Sequence, residues 1–373
     1  MAKVFEPSGI GSLSLKNRLI RSATWEGMCE EDGRPTQKLT DCYKNLVNGG
    51  IGLIITGYAF VRADGKQLPG KMGIHTDAFE DDFKQMTRAV HDLGGKIAIQ
   101  LVHAGGQATS KTIGSRPVAP SGEKVGSYTE PPAALSILEI EDISDAFARA
   151  ARRAKAWGFD AVQIHGAHGY LISQFLCPLT NQRTDAYGGS LENRSRFLFD
   201  VYSKIRAQVG NDYPVFIKLN GEDNIENGLT REEGLLVAKR LSDNGIDAIE
   251  VSAGSAASGE IGPAREKINT EEKEGYNLYL ARSIKEQVRC PVISVGGFRS
   301  FKTVQRAVEE DGVDFISLSR PLIREPDLPL KWQTDPAARA TCISCNKCFM
   351  PGLSKGGIYC VIQKKSDEKN NSL

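Results

Sequence analysis

The segment AWGFDAVQIHG, residues 156–166, has three look-alikes in the same chain: NGGIGLIITG (48–57), DNGIDAIEVSAG (243–254) and EDGVDFISLSR (310–320). Each carries a glycine, then an apolar residue, then Gly or Asp, then a mostly apolar run. The glycine suits the C-terminal end of a helix, where a left-handed backbone is needed. The run suits a parallel strand buried on both faces. Helical patterns precede three of the four: DISDAFARAARRAKAW (142–157), TREEGLLVAKRLSDN (230–244) and SFKTVQRAVEED (300–311). DISD and TREE open with residues that cap helix N-termini. Four further strand candidates lie between the repeats: NRLIRSA (17–23), KIAIQLV (96–102), PVFIKLN (214–220) and PVISVGG (291–297). Eight strands alternating with helices predict an α/β fold, a TIM (β/α)8 barrel. A doubly wound open sheet is the alternative, weakened because no GxGxxG follows the first strand.

The chain has 373 residues, 47 basic and 46 acidic side chains, and a formal net charge of +1. That balance, with basic residues scattered, excludes the electrostatic footprint of a nucleic-acid binder. No apolar run reaches the roughly 18 residues of a membrane span. The start, MAKVFEPSGIGS, lacks the apolar core of a signal peptide, so a cytoplasmic location is expected. The longest connection after a strand runs from about residue 103 to 143 and is rich in Gly, Ser and Pro. Its length predicts a lid over the barrel mouth. The expected organisation is a barrel over 1–335, a cysteine-rich extension over 336–364 and a flexible polar tail over 365–373.

Barrel chemistry belongs at the C-terminal ends of the strands. Those ends deliver Ser22, Ala23, Thr24 and Trp25, then Tyr58, Gln100 and His103. They continue with His165, His168 and Tyr170, then Lys218, Gly296, Gly297, Ser319 and Arg320. Paired glycines admit an anion to the backbone N–H groups and Arg320 adds a charged fork, a phosphate-site pattern. Gln100 offers a donor and an acceptor to the edge of a heterocycle. Lys218 could hold negative charge beside it, or serve as the amine of an aldolase, a non-redox reading of the same barrel. In HGAHGY (165–170) the two histidines fit a metal site, a catalytic pair or a packed turn.

The block HGAHGYLISQFLCPLTNQRTDAYGGSLENRSRF (165–197) resembles the strand-4 signature of the old yellow enzyme family of FMN-dependent oxidoreductases, and LSLKNRLIRSA, IQLVHAGGQ and PVISVGG are similar to its other blocks. The resemblance covers roughly residues 3–330. It implies an NAD(P)H-dependent enzyme that reduces FMN and then the activated C=C bond of an enone or enoyl substrate. On this reading Ser22, Ala23, Thr24, Trp25 and Tyr58 line the flavin. Gln100 and Lys218 meet its pyrimidine edge, and Gly296, Gly297, Ser319 and Arg320 hold its phosphate. His165 and His168 bind the substrate carbonyl, and Tyr170 donates the proton. The chain departs from the family by having Lys218 in place of arginine, Ser319 in place of glycine, and bulky Trp25 and Tyr58 where relatives have small residues.

The eight cysteines are unevenly spread, with CISCNKCFMPGLSKGGIYC placing Cys342, Cys345, Cys348 and Cys360 in a C-x2-C-x2-C-x11-C pattern. A zinc ribbon has two separated pairs; three close cysteines and a distant fourth better suit a [4Fe-4S] cluster, with zinc or free thiols as alternatives. The segment resembles the cluster motif of 2,4-dienoyl-CoA reductase and trimethylamine dehydrogenase. That implies a second function, a dehydrogenase subunit relaying electrons between FMN and a separate electron-transfer partner. The sequence is also compatible with a homo-oligomer.

Overall fold

The computed structural model describes residues 2–354 and 356–370. Its centre is a closed ring of parallel strands: β1 (Leu19–Arg21), β2 (Leu53–Ile55), β3 (Ile97–Val102), β4 (Ala161–Gly166), β5 (Val215–Asn220), β6 (Ala248–Ser252), β7 (Val292–Val295) and β8 (Phe315–Leu318). Each pairs with the next, and β8 closes onto β1 with Ile316 opposite Leu19. Helices α1 (Gln37–Asn48), α2 (Glu80–His91), α3 (Ile137–Ala156), α4 (Leu191–Val209), α5 (Arg231–Asp243), α6 (Leu278–Lys285) and α7 (Phe301–Glu309) alternate with the strands. This is the (β/α)8 barrel.

The repeat has a physical cause at each position. Gly50, Gly158, Gly245 and Gly312 all take left-handed backbone, with φ of 88°, 89°, 83° and 75°. The aspartates that follow tie neighbouring strands together. Asp160, Asp247 and Asp314 each accept the first N–H of the preceding strand, from Ile97, Val215 and Val292, at 2.8 Å. The first repeat has Gly52 instead because Asn17 fills that space: a Cβ on Gly52 would lie 2.5 Å from Asn17 Oδ1, which accepts the N–H of Leu19 at 3.0 Å.

Period-2 alternation layers the barrel interior. Ala98, Ala161, Phe216, Ala248, Ile293 and Phe315 form its apolar floor with Ile10, Leu13 and Leu15, which come from the hairpin Ser8–Ile10/Leu13–Leu15. One step further along the strands the inward residues turn polar: Gln100, Gln163, Lys218, Glu250 and Ser317 are all buried. The site stands on that layer.

Two boundaries differ from the sequence reading. Helix α3 begins at Ile137, so the insertion after β3 ends at 136 rather than about 143. The capping box of Ser136 and Glu139 starts the helix before its apolar face begins, since Ile137 and Leu138 are exposed. Residues 365–370 are helical rather than frayed, within a helix Val361–Asn370 braced by Gln363 Nε2 donating to Asp367 Oδ1 at 2.8 Å; 371–373 lie outside the described residues. The cysteine-rich extension crosses the barrel rim: Ala340 N donates to Arg299 O, and Ile358 N to Glu26 O, both at 2.7 Å. No helix among the described residues is long and apolar enough to cross a membrane.

Candidate active site

The end of β4 gathers an aromatic cluster. The His165 and His168 rings lie 5.2 Å apart at 83°, and the Tyr170 ring lies 4.7 Å from His165. His168 takes left-handed backbone (φ 62°) and its Nε2 pairs with Ser252 Oγ at 2.8 Å. This turn brings two histidines three residues apart onto one wall. His165 is 3% exposed, and its Nδ1 is buried without a hydrogen-bond partner. Burial, reinforced by His168, Lys218 and Lys71, holds its pKa well below the ordinary histidine value. Burial and Lys218 lower His168 to about 3. Both are therefore neutral imidazoles, each able to donate one N–H. Burial pushes Tyr170 up to about 12, against the hydrogen bonds it makes, so its hydroxyl keeps its proton at neutral pH.

Gln67 organises the tyrosines. Its Oε1 accepts from Tyr58 Oη at 2.6 Å and from Tyr170 Oη at 3.0 Å, and its Nε2 donates to Gln107 Oε1. Gln107, on the insertion after β3, donates to His168 O at 2.8 Å, so the insertion reaches the site.

Beneath the cluster runs a buried polar chain. Gln100 Nε2 donates to Gln163 Oε1 at 2.7 Å, and Gln163 Nε2 to Glu250 Oε2 at 2.8 Å. Glu250 Oε1 accepts from Ser22 Oγ at 2.7 Å and Ser317 Oγ at 2.6 Å. Lys218 Nζ donates to Ser22 Oγ at 2.9 Å and faces Glu250 Oε2 at 3.3 Å. Burial alone would raise the Glu250 carboxyl, but Lys218 and the three donors bring it below the usual carboxylate range. The chain thus joins Gln100, Lys218 and Ser22 across the barrel. It also engages the Lys218 amine, which tells against an aldolase amine free to attack a carbonyl.

At the ends of β7 and β8, Gly296 (φ 150°), Gly297 (φ 73°), Ser319 and Arg320 line a cavity of about 70 Å³ with Tyr276, Ser344 and Phe349. A Cβ on Gly297 would sit 2.9 Å from the Tyr276 ring. Thr24 Oγ1 lies 2.7 Å from Ser319 Oγ, which links the β1 and β8 ends. Trp25 is half-buried with Nε1 enclosed and unpartnered; Ala23 packs on the barrel interior. The residues fit FMN: a glycine-lined cavity suits a phosphate, and Trp25 Nε1 is a buried donor without a partner.

The extension abuts this cavity. Arg320 Nη1 donates to Arg265 O and to Asn346 Oδ1, both at 2.7 Å, and Asn346 lies between Cys345 and Cys348. Cys342, Cys345, Cys348 and Cys360 are free thiols lining one small cavity of about 20 Å³ with Arg320. Among the described residues no group of three or more His, Cys, Asp or Glu side chains is arranged to hold a metal ion.

Gln163 and Glu250, absent from the strand-end residues named from sequence, lie beside Gln100 and Lys218 in the register; their signal is the inward parity they share with His165 and Ser252. Gln67, Lys71 and Gln107 sit in loops that carry no periodicity.

This barrel, with its strand-4 wall, buried polar layer and glycine-lined cavity at the ends of β7 and β8, is of a flavoprotein oxidoreductase class. The model of the NADH:flavin oxidoreductase / NADH oxidase family matches residues 3–337, and the chain belongs to that family. It is 38% identical over 348 residues to an NADH oxidase of Thermoanaerobacter brockii, covering 92% of this chain and 52% of that protein. Among solved structures it matches a 2-naphthoyl-CoA reductase with a TM-score of 0.88 at 28% identity, covering 96% of this chain and 56% of that one. It matches the old yellow enzyme homologue of Zymomonas mobilis with a TM-score of 0.77 at 31% identity, covering 91% and 95%. The chain therefore spans about half the length of the first two relatives.

Proposed function

We propose that this chain binds FMN and uses NAD(P)H to reduce the activated C=C bond of an enone or enoyl substrate. FMN, when bound, supplies the hydride chemistry; the protein supplies orientation and polarity. Gly296, Gly297, Ser319 and Arg320 hold its phosphate. Gln100 and Lys218 meet its pyrimidine edge, and Ser22, Ala23, Thr24, Trp25 and Tyr58 line its ring. His165 and His168 donate hydrogen bonds from neutral imidazoles to the substrate carbonyl oxygen. Tyr170 holds a proton at Oη for the second alkene carbon. The observation that carries this reading is the His165 Nδ1 atom, buried and unpartnered beside His168 and Tyr170. Such an atom costs free energy unless something arrives to bond it. The test is anaerobic: FMN-loaded protein is titrated with NADH and with NADPH, then mixed with 2-cyclohexenone. Bleaching of the flavin bands, their return, and cyclohexanone as product are expected. Failure of every member of an enone panel to restore the bands refutes the reading.

A second reading rests on the four cysteines sharing one cavity beside Arg320. The donor set fits a [4Fe-4S] cluster, which would let the chain exchange electrons with a partner protein. Anaerobically purified protein should contain iron and sulfide, and Cys348→Ser should lose both while retaining FMN. Protein holding zinc, or no metal, sinks it.

A further inference from the structure

Lys71 is a lysine the mechanism does not use. It lies in the connection between β2 and α2, 3% exposed, with Nζ 3.4 Å from the Tyr58 ring centroid and 5.3 Å from that of Trp25. Tyr58 in turn packs on Tyr170, at 5.0 Å, and near His165, at 6.1 Å, so Lys71 borders the substrate wall. Its backbone is held in place. Gly70 O accepts from Cys29 N at 3.3 Å, and Gly73 N donates to Gly33 O at 2.9 Å. A Cβ on Gly70 would lie 3.1 Å from the backbone of Gly27.

The ammonium has no acceptor among the described residues. The acid whose charge acts on it most is Glu26, already committed to Arg21 at 2.7 Å, Tyr43 at 2.9 Å and the N–H of Gly57 at 3.0 Å. Aromatic faces compensate a cation only partly. A buried ammonium carries three N–H donors and is strongly disfavoured without an anion. Burial accordingly pushes the Lys71 pKa well below its ordinary value. A tightly held backbone, an aromatic box and a buried amine that an arriving anion would keep protonated together make an anion subsite.

We infer that Lys71 is the counter-charge for a carboxylate on the substrate, so that the alkene taken here is an unsaturated keto acid: its ketone sits on His165 and His168 and its carboxylate on Lys71. This rests on the proposed ene-reductase reading and narrows it to an anionic substrate.

The test uses FMN-loaded protein and a matched pair of ligands, (E)-4-oxo-2-pentenoate and its neutral methyl ester, with dissociation constants read anaerobically from the flavin absorbance shift. Wild type is expected to favour the acid. Lys71→Met should weaken the acid by about 30-fold or more, the loss typical of an unpaired buried charge, and move the ester by less than about threefold. Lys71→Arg should keep the preference. The inference is overturned if wild type binds the ester as tightly as the acid. It is also overturned if Lys71→Met weakens both ligands equally, or lowers FMN affinity with no dependence on ligand charge. Reduction of 2-cyclohexenone by the same preparation separates the cases: turnover of that enone without a preference for the acid defeats only the Lys71 assignment, whereas no turnover of any alkene defeats the ene-reductase reading as well.

Discussion

Replacing Lys218 with Met should be among the most costly single changes in the barrel. The substitution keeps the volume of the stem but removes the cation 3.3 Å from Glu250 Oε2. Glu250 is fully enclosed and keeps three neutral donors, Ser22, Ser317 and Gln163, at 2.7, 2.6 and 2.8 Å. Those donors do not replace the lost charge, and breaking such a buried pair costs about 3–5 kcal/mol. Glu250→Gln strands Lys218 in the same way and should cost a similar amount. The double variant removes both charges and leaves only imperfect hydrogen bonds, about 1–3 kcal/mol. The two single losses therefore exceed the double loss, with a coupling of at least about 2 kcal/mol. Urea unfolding of the four FMN-free proteins, followed by far-UV circular dichroism, measures the cycle. Additivity within about 0.5 kcal/mol would show that the two side chains do not act as a pair.

Two further outcomes follow from the site. The affinity of FMN-loaded protein for a neutral ketone ligand should be flat from about pH 5 to about pH 10, because His165 and His168 are already neutral above the low end and Tyr170 stays protonated through the high end. An inflection near pH 6.5 that vanishes in His168→Ala would contradict the neutral-imidazole assignment. Gly297→Ala forces a side chain into left-handed backbone against the Tyr276 ring and should raise the FMN dissociation constant about tenfold, at a strain of roughly 1–2 kcal/mol; fluorescence titration with free FMN reads it, and an unchanged constant argues that the phosphate lies elsewhere.

The barrel was legible because its repeat encodes backbone needs that are local. A glycine at left-handed φ and an aspartate that bonds the neighbouring strand's first N–H recur at fixed offsets, as at Gly158 and Asp160. The strand-4 wall was legible for the same reason, since His165, His168 and Tyr170 fall within six residues. The Lys218–Glu250 pair was not, because it forms only when β5 and β6 align and place the two residues side by side. Gln67 and Lys71 were hidden more deeply. They reach the site through loop geometry, and nothing in their immediate sequence separates them from surface polar residues. The start of α3 was written in Ser136 and Glu139, but the exposed Ile137 and Leu138 mask the amphipathic pattern there.

The most direct test of the central claim separates the chain's own proton donor from everything else. Protein reduced anaerobically with one equivalent of NADH is mixed with 2-cyclohexenone in a stopped-flow instrument, for wild type and for Tyr170→Phe. The account predicts that flavin reduction by NADH is unchanged in the variant, while reoxidation by the enone slows by about 10²- to 10⁴-fold, the range of a general acid. Equal reoxidation rates in the two proteins would contradict it.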